Sequence, residues 1–157
     1  MKNEAEFKSV FKKAVKKAGG FCESLAAPTM PGIPDLYCIV PGFMPVLLEA
    51  KFFKMGLAST FTRKIPYTAM QYRWLTKTNE VHRGASFGLL GAEWNGNYYC
   101  LLAGPEITHL SVGLIKERGR FIVKKSIDVQ ELFYNHVPKS HIQPIKPLPC
   151  RLMRDTV

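Results

Sequence analysis

Gly32-Ile33-Pro34-Asp35-Leu36-Tyr37-Cys38-Ile39-Val40, then Pro41-Gly42-Phe43-Met44-Pro45, then Val46-Leu47-Leu48-Glu49-Ala50-Lys51, is the stretch on which the reading of this chain turns. Two apolar runs bounded by Pro and Gly read as two strands joined by a tight connection. Side chains alternate faces along a strand, so Glu49 and Lys51 point one way and Ala50 the other. Asp35 opens the neighbouring strand. Two acids and one lysine can therefore meet at a single sheet edge, an arrangement that can bind a divalent metal and set a cation beside a phosphate. A structural salt bridge of Glu49 with Lys51, or of Lys51 with Asp35, is the plainer alternative, because charges at the end of Val46-Leu47-Leu48 are costly to bury unpaired.

Glu4 to Ala18 reads as a helix with Phe7, Val10, Phe11, Ala14 and Ala18 at helical spacing, stopped by Gly19-Gly20. Lys8, Lys12, Lys13, Lys16 and Lys17 fall mainly on its other side, as a solvated face or a DNA-contacting stripe. Gly20 to Leu25 is a candidate first strand, followed by a stiff Pro-rich loop over Ala27–Pro34. After Lys51 comes a basic connection, Phe52 to Pro66, with Lys54, Arg63 and Lys64; its length favours a functional loop over a mere link. Thr68 can cap a helix through Gln71, Tyr72, Trp74 and Leu75 to about Asn79. Ala85–Trp94 and Tyr98–Ala103 read as a strand pair around the turn residues Asn95-Gly96. A further strand pair is expected around Glu117-Arg118-Gly119 and a helix over Asp128–His136. From Pro138 the chain is polar, basic and Pro-rich, which predicts a mobile or extended tail. Tyr72, Trp74 and Phe87 are expected in the core, ahead of a role as stacking platforms.

At 157 residues the chain fits one domain with a sizeable core. An apolar content of 46% excludes a disordered composition. Lys and Arg number 22 against 12 Asp and Glu, a formal charge of +10 that points to a polyanionic partner, nucleic acid ahead of a membrane. No uninterrupted apolar run is long enough to span a bilayer, and Met1–Glu4 lead into a charged helix, not a signal-peptide core. Cys22, Cys38, Cys100 and Cys150 contain no Cys-x-x-Cys, and His82, His109, His136 and His141 are scattered, against a structural zinc site. Cys38 and Cys100 read as small core residues, consistent with a reducing, cytoplasmic setting.

A helix with an early glutamate, a strand, the Gly32-x-Pro34-Asp35 strand, the Glu49-x-Lys51 strand and a helix bearing Gln71 together resemble the PD-(D/E)XK nuclease superfamily, with the nearest likeness to small VRR-NUC domains and archaeal-type Holliday junction resolvases. The likeness covers about residues 4–103. It implies an α/β, restriction-endonuclease-like core over 1–103, a mixed central sheet flanked by helices, with 104–137 a C-terminal extension of the same domain and 138–157 a basic tail. It also implies a Mg²⁺-dependent endonuclease acting on DNA, with Mn²⁺ able to substitute. Asp35 and Glu49 would be metal ligands, the Ala50 carbonyl a third and Glu4 a fourth. Lys51 would orient or help activate the attacking water, and Gln71 would support the site. The bottom-up chemistry agrees: hard oxygen donors suit Mg²⁺, which keeps several waters. Gln71 as an ordinary exposed helix residue, and Glu4 as a first-turn acid favoured by the helix dipole, stay open. Between the two early acids, Glu4 lies near the apolar stripe and Glu6 well off it. Lys54, Arg63 and Lys64 are the candidate DNA-backbone contacts, and a two-fold dimer would suit a branched substrate. The rival readings are a catalytically idle DNA-binding or inhibitory protein and a nuclease subunit of a larger assembly.

Overall fold

Asn3 opens the first helix by accepting the Glu6 N–H on its side chain, and α1 (Glu4–Lys17) then buries Phe7, Phe11 and Val15 along one stripe. The computed structural model describes residues 1–25, 30–56, 58–106, 110–122 and 125–140. After α1 come β1 (Phe21–Ser24), β2 (Leu36–Ile39), β3 (Val46–Lys54), α2 (Ala58–Thr62), α3 (Ala69–Val81), β4 (Ser86–Trp94), β5 (Asn97–Ala103), α4 (Gly113–Arg118), β6 (Arg120–Ile122) and α5 (Val129–Tyr134). The six strands form one sheet in chain order. β3 and β4 run parallel, with α3 in the crossover between them, and every other neighbouring pair is antiparallel. The fold is α/β, a mixed sheet flanked by helices.

Alternation along β3 divides the molecule into two cores. Val46, Leu48 and Ala50 face the α1 and α5 side, packed with Phe7, Phe11, Val15, Leu132 and Phe133. Met55, with Leu90, Ala92, Leu75, Val112 and Ile115, builds the core under α3 and α4. Full burial of Phe7 and Phe11 contributes roughly 2–3 kcal/mol each by transfer. Glu49, Lys51 and Phe53 share the face of Met55, so their side chains look toward α3. Asn95 and Gly96 both have positive φ (50° and 77°), giving the tight turn their pairing predicts.

Several expectations change. The basic stretch 52–66 is not one irregular loop: β3 continues to Lys54, α2 follows, and Lys64 bridges Ser111. The strand pair around Glu117-Gly119 is half helix, because α4 occupies 113–118 and Ile115 plugs the second core before β6 joins β5. Tyr72 is exposed rather than core, since Leu75 is the residue α3 buries. Pro138 and Lys139 do not start a free tail; Met44 N–H donates to the Pro138 carbonyl and Lys139 bridges Phe43. The rest of the expected tail, with His141 and Cys150, lies outside the described residues, as do His109 and part of the loop over Ala27–Pro34. Among the described residues no helix is long and apolar enough to cross a membrane.

Candidate active site

β2 pairs with β3 only from Val46 to Leu48, so β3 runs on past the end of its neighbour. At that step the Ala50 N–H is taken up by the Asp35 side chain, which accepts it on Oδ2 at 2.9 Å. The chain reaches this position through Gly32, whose φ of +86° is a left-handed conformation that favours glycine. A Cβ at Gly32 would stand 2.6 Å from Cβ of Met70, so the loop lies directly on the first turn of α3. Pro34 is buried behind it. This close approach brings the Asp35 strand, the Glu49 strand and the head of α3 to one place.

Glu49 is 2% exposed, a buried carboxylate on the α3 side of the sheet. Its Oε1 accepts from the Gln71 side-chain amide and lies 3.5 Å from Lys51 Nζ. Gln71 is locked at both ends. Its Oε1 accepts the Thr68 N–H at 2.9 Å while Thr68 Oγ1 accepts the Gln71 N–H at 3.2 Å, a capping box that leaves the amide NH₂ facing Glu49. Burial raises the Glu49 carboxyl from 4.5 to about 7, with Asp35 adding to the rise and Lys51 opposing it. The Tyr67 hydroxyl donates to the Glu49 backbone carbonyl at 3.2 Å, and Lys51 Nζ sits 5.8 Å from the Tyr67 ring centroid. Burial, followed by the charges of Glu49 and Asp35, raises the Tyr67 hydroxyl, so it stays a neutral donor.

From the α1 side, Lys8 Nζ reaches Asp35 Oδ1 at 3.3 Å and Glu4 Oε1 at 3.5 Å. Burial works against the Lys8 charge, but Asp35 and Glu4 outweigh it and its affinity for the proton rises. Glu4 therefore lies on the site side of α1. Glu6 turns away, accepting from Lys125 Nζ at 2.7 Å and from the Lys2 N–H. The structure thus gathers Glu4, Asp35, Glu49, Lys51 and Gln71, and ties the Ala50 backbone to Asp35. It does not bring Lys54 there: Lys54 is exposed at the far end of β3, on the face opposite Glu49. Arg63 and Lys64 are exposed on the segment leading to Tyr67. Sequence reasoning missed Lys8 and Tyr67. The spacing Thr68-x-x-Gln71 was the signal that fixes Gln71, whereas nothing in the spacing of the α1 lysines singles out Lys8.

No family model matches the chain, and no curated protein matches it. Among solved structures, the Holliday junction resolvase Hjc of Archaeoglobus fulgidus, an archaeal hyperthermophile, matches with a TM-score of 0.40 and 12% identity, covering 71% of this chain and 98% of that one. A likeness of that size assigns no function, so the chemistry rests on the site's own geometry. Among the described residues, no group of three or more His, Cys, Asp or Glu side chains is placed to hold a metal ion. The donor set still fits a hard cation. Two carboxylates from adjacent strands, one buried and carrying a raised pKa partly because of the other, are a paired anionic site whose strain a divalent ion would relieve. A cavity of about 630 Å³ lies between α1 and the start of α5, lined by Ala14, Lys17 and Val129. Asp35 and Glu49 instead stand within the sheet, where the β2–β3 pairing stops.

Proposed function

We propose that the chain is a divalent-metal-dependent nuclease of the PD-(D/E)XK type that hydrolyses DNA phosphodiester bonds, of the kind found in VRR-NUC domains and junction resolvases. The observation that carries this reading is the buried Glu49 carboxylate held between Lys51 and a locked Gln71, beside Asp35 at the point where β2 ends. Asp35 and Glu49 would hold Mg²⁺ or Mn²⁺, with the Ala50 carbonyl and Glu4 as further oxygen donors. When bound, the cation supplies a water of lowered pKa and neutralises charge developing on the phosphate. Lys51 is the ammonium placed to orient the nucleophile and steady the phosphoryl oxygens. Gln71 fixes the Glu49 carboxylate, and Tyr67 holds the β3 backbone beside it. Arg63 and Lys64 would meet the DNA backbone, in keeping with the charge of +10. Branched or broken DNA is the proposed substrate and a two-fold dimer the proposed form.

One observation favours a second reading. Lys8 already pairs with Asp35 and Glu4, as a catalytically idle DNA-binding protein on this fold could arrange permanently. A single experiment separates them: labelled junction, flap and linear duplex are incubated with Mg²⁺, with Ca²⁺ and with EDTA. The nuclease reading expects cleavage in Mg²⁺, little in Ca²⁺ and none in EDTA. Asp35→Ala and Lys51→Ala should each lower cleavage by orders of magnitude with DNA affinity little changed. Binding without cleavage in any metal would favour the idle protein. Cleavage undiminished by EDTA, or by both substitutions, would remove the assignment of this site. In the same assay Arg63→Gln with Lys64→Gln should flatten the salt dependence of binding by up to about two units.

A further inference from the structure

Cys22 on β1 and Cys38 on β2 stand directly opposite each other in the antiparallel ladder. Their place in that ladder follows from one hydrogen bond. Leu25 N–H donates to the Asp35 carbonyl at 2.8 Å, and these two are the next partners along the same register, so they form a hydrogen-bonded pair. Hydrogen-bonded and non-hydrogen-bonded pairs alternate, which makes Cys22 and Cys38, three steps on, a non-hydrogen-bonded pair. Cα atoms of such a pair lie about 4.5 Å apart with side chains drawn together, inside the range a disulfide requires. Both cysteines are free and buried, and their thiols share a hydrogen bond.

Cys22 also lines a cavity of about 330 Å³ with Lys12, Lys13, Lys16 and Gly20, at the lower end of the range for small-ligand pockets. Lys13 and Lys16 are exposed, while Lys12 pairs with Glu23 at 3.7 Å. A thiol at the wall of a lysine-lined cleft, backed by a second thiol in disulfide register, is more than packing requires.

We propose that Cys22 and Cys38 are a redox modification site, oxidised to a cross-strand disulfide by a small anionic disulfide of the glutathione type that seats among these lysines. The Cys22 thiolate attacks one sulfur of the oxidant, its S–S bond breaks, and the first thiolate leaves, taking the proton that Cys22 gave up. The Cys38 thiolate then attacks the Cys22 sulfur of the mixed disulfide and releases the second thiol with the Cys38 proton. Two protein thiols are oxidised and one small disulfide is reduced to two thiols. The direction of attack agrees with the thiols' acidities. The Cys22 thiol is lowered by its hydrogen bond from Cys38 against the effect of burial, with Lys12 helping; the Cys38 thiol is raised by the same bond and by burial. The crosslink would close the segment that contains Gly32–Asp35, and the proposal stands whether or not the site there is a nuclease.

The test uses the full chain carrying Cys150→Ser, reduced and then exposed to oxidised glutathione, with intact mass and peptide mapping. The expected product has lost two hydrogens and contains one Cys22–Cys38 peptide, with a raised melting temperature. Cys38→Ser should stop at a single glutathione on Cys22, and Cys22→Ser should leave Cys38 unmodified. Lys13→Gln with Lys16→Gln should slow oxidation by glutathione disulfide several-fold but leave the rate with an uncharged disulfide unchanged. A chain that stays fully reduced in excess oxidised glutathione, after the dithiothreitol used to reduce it has been removed, would overturn the proposal, as would a first adduct on Cys38. Equal slowing with both oxidants would remove the lysine cleft from it. The peptide map of the chain with both cysteines present decides the central point even where a variant fails to fold.

Discussion

Replacing Glu49 by glutamine should stabilise the metal-free protein at neutral and alkaline pH. Glutamine keeps the size of the side chain and an acceptor oxygen for Gln71 and Lys51, and removes only the ionisation. In the folded protein burial and Asp35 raise this carboxyl from 4.5 to about 7. Below about pH 4.5 the group is protonated in both folded and unfolded states and has no effect on stability. Between 4.5 and 7 the unfolded chain releases the proton and the folded one keeps it, so stability falls as pH rises; above 7 the loss is complete and constant. The full loss is about 3 kcal/mol. At 2% exposure Glu49 needs little discount for solvent screening. In EDTA at pH 8 Glu49→Gln should therefore melt roughly 6–10 °C above the parent, the gap closing toward pH 4. Adding millimolar Mg²⁺ at pH 8 should raise the parent's melting temperature and leave that of the variant nearly unchanged. The assay is thermal melting monitored by circular dichroism across pH, with and without metal. A variant less stable than the parent at pH 8, with the deficit shrinking as the pH falls below about 4.5, would show Glu49 to be an ionised partner in a structural salt bridge with Lys51, and the metal-site reasoning would fail.

Lys8→Met removes the cation that competes for Asp35, so the nuclease reading expects Mn²⁺ to bind at least several-fold more tightly by calorimetry; weaker binding would mean that Lys8 holds the acids in place. Glu4→Gln should reduce turnover while Glu6→Gln leaves it unchanged, because only Glu4 shares Lys8 with Asp35, and a larger effect at Glu6 would contradict that geometry. Gly32→Ala combines a φ of +86° with a Cβ 2.6 Å from that of Met70, so it should destabilise the fold by about 1–3 kcal/mol in urea melts and depress cleavage further by shifting Asp35. An unaffected Gly32→Ala would show that the loop can move off α3 freely.

Part of this protein is written in its sequence. The alternation around Val46–Lys51 put Glu49 and Lys51 on one face and Ala50 on the other. The helical stripe of α1 separated Glu4 from Glu6, and Asn95-Gly96 marked the β4–β5 turn, because periodicity and turn chemistry are local properties of the chain. What needed the tertiary structure is every contact set by distance in space. The α1 lysines look alike in sequence, and only the packing of α1 over the end of β2 takes Lys8 to Asp35. Residues 113–118 carry weak local signals, and the need to cover Leu90 and Ala92 makes them a helix that delivers Ile115 to the core. Nothing local pairs Cys22 with Cys38, or seats Gly32 on Met70. Those follow from strand register and helix packing, which depend on residues far apart in the chain.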